Sequence, residues 1–126
     1  MEWMIIKTSN LLVRVAVDEI VYIKADGNYC DLVLINGQKR RFTSQLHVFE
    51  NNINSLKNAD MFIRVGRSII VNKQYIRIID LYDQTITFGY LQAKPEELGS
   101  IYTVKVSRDA LKVLFERMLK EREHEQ

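Results

Sequence analysis

Between Phe62 and Ile79 the chain reads FIRVGRSIIVNKQYIRII, placing Arg64, Arg67, Lys73 and Arg77 in one stretch without an acidic residue. Cations grouped this way pair with anions. Arginine adds a planar fork of donors that fits phosphate oxygens or the O6 and N7 edge of guanine. Further basic charge stands at QKRRF, residues 38–42, and at Lys105, Arg108 and Lys112, while glutamates crowd the end, ERMLKEREHEQ. Gathered on one face, such segments bind anions; scattered, they are ordinary solvated charge, and charge alone leaves both readings open.

Catalytic chemistry has no comparable signal. The sequence contains no GxGxxG, P-loop, nucleophile elbow, HExxH or CxxC, the short patterns that would announce nucleotide, serine-hydrolase or metal chemistry. Asp18, Glu19, Asp26 and Asp31 flank one turn but lack the every-other-residue spacing of a calcium loop, so they read as solvated turn acids. Cys30 is the only cysteine, which excludes an internal disulfide, and without a basic neighbour in sequence it reads as a buried or half-buried strand residue. His47 falls off the apolar stripe around it, and with only His124 besides, a zinc site is not expected. The expectation is therefore a protein without catalytic residues, cofactor or metal.

The chain has 126 residues, 47% of them hydrophobic, with a formal net charge of +2. That length suits one compact domain and is short for two independent cores. Apolar runs such as SIIV and LVLI are far below the roughly 20 residues needed to cross a bilayer, and MEWMIIKTSN has too short an apolar stretch for a signal peptide. With a single cysteine, the expected compartment is the cytoplasm.

The elements that would position the cations follow from periodicity. WMIIK and LLVRV, separated by Thr8-Ser9-Asn10, predict a hairpin and an ordered N-terminus. DEIVYIKA breaks at Asp26-Gly27-Asn28 and leaves as YCDLVLI. Asn36-Gly37 then predicts a two-residue type I′ turn, with QKRRF returning antiparallel. Leu46, Phe49, Ile53 and Leu56 recur at helical spacing behind Thr43-Ser44, whose hydroxyls predict the N-cap. MFIRV, QYIRIID, QTITFGY and IYTVKV are further strands. Ser107 precedes a final helix with Leu111, Leu114, Phe115, Met118 and Leu119 on one side. About nine strands, one mid-chain helix and one C-terminal helix make a mainly β fold of short antiparallel sheets. Gly66 releases Arg67 into a loop, and Ser68 is expected to cap a single helical turn over IIVN that Asn72 closes.

These segments together resemble a family. DEIVYIKADGNYCDLVLINGQ, a helix, FIRVGRSIIVNKQYI and VKVSRDALKVL are similar to the LytTR-type DNA-binding domain of bacterial response regulators, from about Asp18 to Leu119. The most specific part is Phe62, Arg64, Arg67, Ser68, Val71, Asn72 and Ile76, joined by Ser107-Arg108. The resemblance implies short antiparallel sheets that read double-stranded DNA from three loops, without a recognition helix. Matched onto this chain, the loops are 26–30, 66–68 and 106–109. Asn28, Arg67 and Arg108 are the implied base contacts, and Lys24, Arg64, Ser68, Lys73, Lys105 and Lys112 the implied backbone contacts. It also implies a sequence-specific transcription regulator paired on repeated half-sites. Length makes residues 1–126 one domain ending in a polar tail, 120–126, and a C-terminal helix stripe spent on covering the sheets predicts a monomer in solution.

Three features depart from the family pattern. Gly66 stands where histidine is frequent, which removes a polar contact. The usual receiver domain does not precede the first hairpin, so the chain is either a free-standing regulator or an excised piece. The YLQAKPEELGS link exceeds a tight turn and reads as a local insertion. The rival reading from another class is a β-rich protein-interaction module that uses edge strands and the C-terminal helix.

Overall fold

Thr8, Ser9 and Asn10 favour turn backbone over strand, and the computed structural model shows the hairpin this dictates. β1 (Trp3–Lys7) and β2 (Leu12–Ala16) pair antiparallel, and the Thr8 amide donates to the Leu11 carbonyl at 2.8 Å. The structure describes residues 1–89 and 102–125, with side chains through 121; the 90–100 link lies outside the described residues. By its contacts the chain divides into two compact units: Met1–Arg64 with Ser68–Gln74, and Val65–Arg67 with Tyr75–Gln126.

The first unit holds a five-stranded sheet. β3 (Ile20–Asp26), β4 (Tyr29–Leu34) and β5 (Lys39–Phe42) form the expected meander, and the sheet order is β5-β4-β3-β7-β6, with β6 at Phe62–Val65 and β7 at Ile69–Asn72. Helix α1 (Leu46–Asn54) lays Leu46, Phe49 and Ile53 into a core with Met4, Ile23, Leu32 and Ile70. The Phe42 and Phe49 rings meet edge to face at 5.6 Å. The N-terminus is tied to the segment that follows this helix, since the Glu2 carboxylate accepts from the Lys57 and Asn58 amides.

Three local expectations are corrected. The β4–β5 loop is not a two-residue type I′ turn: Leu34 and Gln38 bond across a three-residue loop in which Gly37 alone takes positive φ, +92°. This is a type I turn closed by a left-handed glycine. The Ile35 amide is drawn away to the Glu19 carbonyl, 2.9 Å, so it is not available to extend the ladder. Helix α1 starts one residue later than a hydroxyl cap requires; Gln45 is its N-cap and makes no side-chain cap bond. Residues 69–72 form a strand instead of a helical turn, because each of them is buried and β7 pairs with β3 through Val71 opposite Tyr22. A run buried on both faces favours the ladder, which satisfies every backbone group. This brings the described strands to ten. The turn of 3-10 helix comes later, at Lys73–Tyr75, opened by the Asn72 side chain accepting from the Gln74 amide at 3.1 Å. Asn72 is fully buried and donates in turn to the Ile20 carbonyl at 2.9 Å.

The second unit contains a three-stranded antiparallel sheet, order β10-β9-β8, from β8 (Ile76–Asp80), β9 (Thr85–Phe88) and β10 (Thr103–Lys105). Helix α2 (Arg108–Glu125) follows, with Leu111 and Leu114 buried. The expected stripe fades along the helix: Phe115 and Met118 are half-buried, and Leu119 is 49% exposed. Among the described residues no helix is long and apolar enough to cross a membrane.

Candidate nucleic-acid interface

The turn carrying Asn28 is built by strand register. Asp26 lies opposite Tyr29, leaving Gly27 and Asn28 as the loop, and Gly27 takes φ +60°. Positive φ at the first loop position is the type II′ pattern. Beyond its own chain neighbours, nothing lies within 4 Å of the position a Cβ would occupy at Gly27, so conformation, not space, selects glycine there. Asn28 stands exposed at the tip.

Behind this turn lies a clamp. β4 and β5 place Arg41 directly across from Asp31. Arg41 Nε donates to Asp31 Oδ1 at 2.8 Å, and Nη2 donates both to Asp31 Oδ2 at 3.1 Å and to Asp26 Oδ2 at 2.5 Å. The guanidinium carbon lies 4.9 Å from the centre of the Tyr29 ring, within cation–π range. Asp31 is therefore not the solvated turn acid its sequence context suggests: it is 7% exposed. Hydrogen bonds from Arg41 outweigh burial and hold its carboxyl below the usual carboxylate range, with Lys39 Nζ adding charge at 3.5 Å. Arg41 is pushed above its ordinary value by the same bonds to Asp31 and Asp26. Cys30 is buried, and its thiol is pushed up first by that burial and then by neighbouring Asp31. A protonated, inaccessible thiol suits packing, not reaction.

The second loop is set by Gly66. Its φ is +63°, and a Cβ there would lie 3.1 Å from Ala110 Cβ and 4.0 Å from Ser107 Oγ. The Gly66-Arg67 backbone thus rests on the first turn of α2. Arg108 is the first residue of that helix, and the Leu111 amide bonding to the Ser107 carbonyl at 3.0 Å starts its ladder. Gly66 is therefore more than the loss of a polar contact; it permits the close approach. The junction is held from the other side as well. Gln84 adopts φ +56°, a left-handed conformation rare for a side-chain-bearing residue, and its carbonyl accepts from the Val106 amide at 3.0 Å. A hollow of about 690 Å³ adjoins it, lined by Tyr82, Asp83, Gln84, Thr85, Lys105, Val106 and Ser107.

In the second unit, then, the Arg67 turn and the Ser107-Arg108 junction are brought together, with Lys105 on β10 and Lys112 exposed on α2. Asn28, Lys24, Arg64, Ser68 and Lys73 belong to the first unit. Lys24 is half-buried and stands across from Asp31. Arg64 Nη1 donates to Glu50 Oε1 at 3.0 Å, so part of its charge is already engaged. Ser68 is exposed, and its carbonyl accepts from the Ala25 amide at 2.7 Å. Lys73 opens the 3-10 turn and is half-buried. Reading by sequence missed the Arg41 clamp and the Gln84 brace. Counting across the strands from the expected two-residue turn puts Phe42, not Arg41, opposite Asp31, so the first was hidden by the loop length; nothing local signals the second. Among the described residues no group of three or more His, Cys, Asp or Glu side chains is arranged to hold a metal ion.

The family model for the LytTr DNA-binding domain matches residues 10–119, taking in all three loops. This chain belongs to the LytTR family of DNA-binding domains. The match reaches back beyond Asp18 to Asn10, at the end of the first hairpin's turn, and takes in its second strand. The LytTR fold is seen again in a solved structure from Bacillus cereus, the LytTr DNA-binding domain of a protein assigned as a methyl-accepting/DNA response regulator. The two are 22% identical with a TM-score of 0.59, over 94% of this chain and 97% of that one. No curated protein matches the chain. LytTR is a family of DNA-binding domains and not a family of enzymes, and the partner it implies is DNA.

Proposed function

We propose that this LytTR domain is a sequence-specific transcription regulator that reads major-groove bases from loops. Asn28, Arg67 and Arg108 take base edges. Lys24, Arg64, Ser68, Lys73, Lys105 and Lys112 hold the sugar–phosphate backbone. Residues 1–126 act as one DNA-binding domain in the cytoplasm, monomeric when free and paired on repeated half-sites.

The observation that carries this reading is the seat of Gly66 on Ala110, which fixes the Arg67 turn against the helix start that bears Arg108. Direct readout needs guanidinium groups presented on rigid backbone, because a bidentate contact to guanine tolerates little misplacement. The charge pattern supports it further. Arg108 stands at the positive end of an 18-residue helix, where a cation disfavours the helix by about 0.3–1 kcal/mol. Such a cost is expected where the cation meets an anion or a base edge.

A second reading has an observation of its own. Trp3, Ile5 and Leu12 are 40%, 50% and 62% exposed on the outer face of the first hairpin, a surface suited to a protein partner. Selection of bound duplexes from a random pool separates the two. Recovery of a repeated short motif is expected, and Arg67→Ala or Arg108→Ala then weakens the selected site by about 1–3 kcal/mol while leaving random duplex nearly unchanged. No enrichment, or equal losses on both DNAs, refutes base reading.

A further inference from the structure

Arg41 stands in a basic run, QKRRF, yet its side chain lies across the surface of the sheet toward the turn that carries Asn28. Its guanidinium bonds to Asp31 within the β4–β5 ladder, and to Asp26 at the base of the Gly27-Asn28 loop. On the far side of that loop it faces the ring of Tyr29. Asp26 and Tyr29 are the pair between which Gly27 and Asn28 are strung. One side chain therefore holds both feet of a two-residue turn and anchors them to a strand two positions away in the sheet.

We infer that Arg41 is a positioning residue for base readout, setting the aim of Asn28 without contacting DNA. The inference deepens the proposed reading, since it rests on Asn28 as a base contact. A turn of two residues has few internal bonds to fix its direction, and asparagine needs both its amide atoms aligned to serve adenine. Lysine at position 41 keeps the charge but loses the planar fork that engages both carboxylates together. The same geometry makes Asp26 the outer arm of the clamp. Asp26→Asn weakens that arm while leaving the Arg41–Asp31 fork in the ladder.

The experiment uses the full chain and the duplex recovered by selection, with a random duplex as reference, titrated at several salt concentrations. Arg41→Lys and Asp26→Asn are each expected to lower affinity for the selected duplex, on the order of tenfold and no further than Asn28→Ala does. Random duplex is held as before, and the salt slope does not change. In an Asn28→Ala background neither substitution has a further effect, because coupled residues are not additive. Arg41 is instead a phosphate contact if Arg41→Lys or Arg41→Gln weakens both duplexes alike and Arg41→Gln shallows the log–log salt slope by about 0.9. It is only a brace of the sheet if both variants lose thermal stability but discriminate the two duplexes like the parent chain. Either result overturns the inference. If Asn28→Ala alone changes nothing, the base-reader assignment fails first, and the role of the clamp falls with it.

Discussion

Asp31 and Gly66 each look unremarkable in sequence, and each is decided by one neighbour. The Asp31 carboxyl is held ionised by Arg41, so its folded pKa lies below its unfolded value. Between about pH 3.9 and that lower folded value, the unfolded chain binds a proton that the folded chain refuses. The stability it contributes is thus complete at neutral pH and drains away as the pH falls through this window. Urea denaturation across a pH series is expected to show Asp31→Asn less stable at pH 7 but with a shallower decline below about pH 4. Equal slopes would mean that the Arg41 pairing does not persist in solution. At Gly66 both conformation and space oppose a side chain. Gly66→Ala should cost roughly 1–2 kcal/mol from the left-handed backbone alone. The contact with Ala110 should add to that cost and weaken discrimination by Arg67 and Arg108 together. An alanine variant as stable as the parent would show that this approach to α2 is loose.

Among the elements, α2 illustrates how one helix serves two purposes. Its first turns bury Leu111 and Leu114, at 0% and 1% exposure, which anchors the Ser107-Arg108 junction. Leu114→Ala is therefore expected to cost on the order of 2–5 kcal/mol, measured by chemical denaturation. A cost below 1 kcal/mol would mean that the helix start is not packed as described. Removing the chain after Lys120 should change little, because the remaining EREHEQ carries no apolar stripe. The central strands teach a complementary lesson. Ile69–Asn72 reads locally as a capped turn, since Ser68 and Asn72 flank it with capping residues, yet its burial on both faces makes it the strand beside β3.

For the whole molecule, the expected signature is electrostatic. DNA affinity should fall with log–log slope near −0.9 for each phosphate neutralised, and alanine at Lys73 or Lys112 should reduce that slope while weakening all duplexes about equally. Fluorescence titrations at several salt concentrations measure it; an unchanged slope removes those lysines from the backbone contacts. Sedimentation of the free chain is expected to show a monomer, with two copies appearing only on duplex bearing two half-sites. A stable free dimer that Met118→Glu dissociates would reassign the exposed end of the α2 stripe as an interface.

The amino-acid sequence alone determined the mainly β class, the positions of nine of the strands and both helices, and the family that its arginine-rich motif resembles. Those features follow from local periodicity, turn residues and short spacings, all carried within a few neighbouring positions. Tertiary structure decided the rest, beginning with the one-residue difference in the β4–β5 loop. A two-residue turn would set Asp31 against Phe42; the three-residue loop sets it against Arg41, with Cys30 opposite Phe42. Because strand side chains alternate faces, that single step moves an entire row from core to surface. It is settled by a distant carbonyl, Glu19, that captures the Ile35 amide. Likewise Gly66 and Ala110 are 44 positions apart, counting from 66 to 110, and no local pattern announces that a glycine in one loop must clear a helix start so far along the chain.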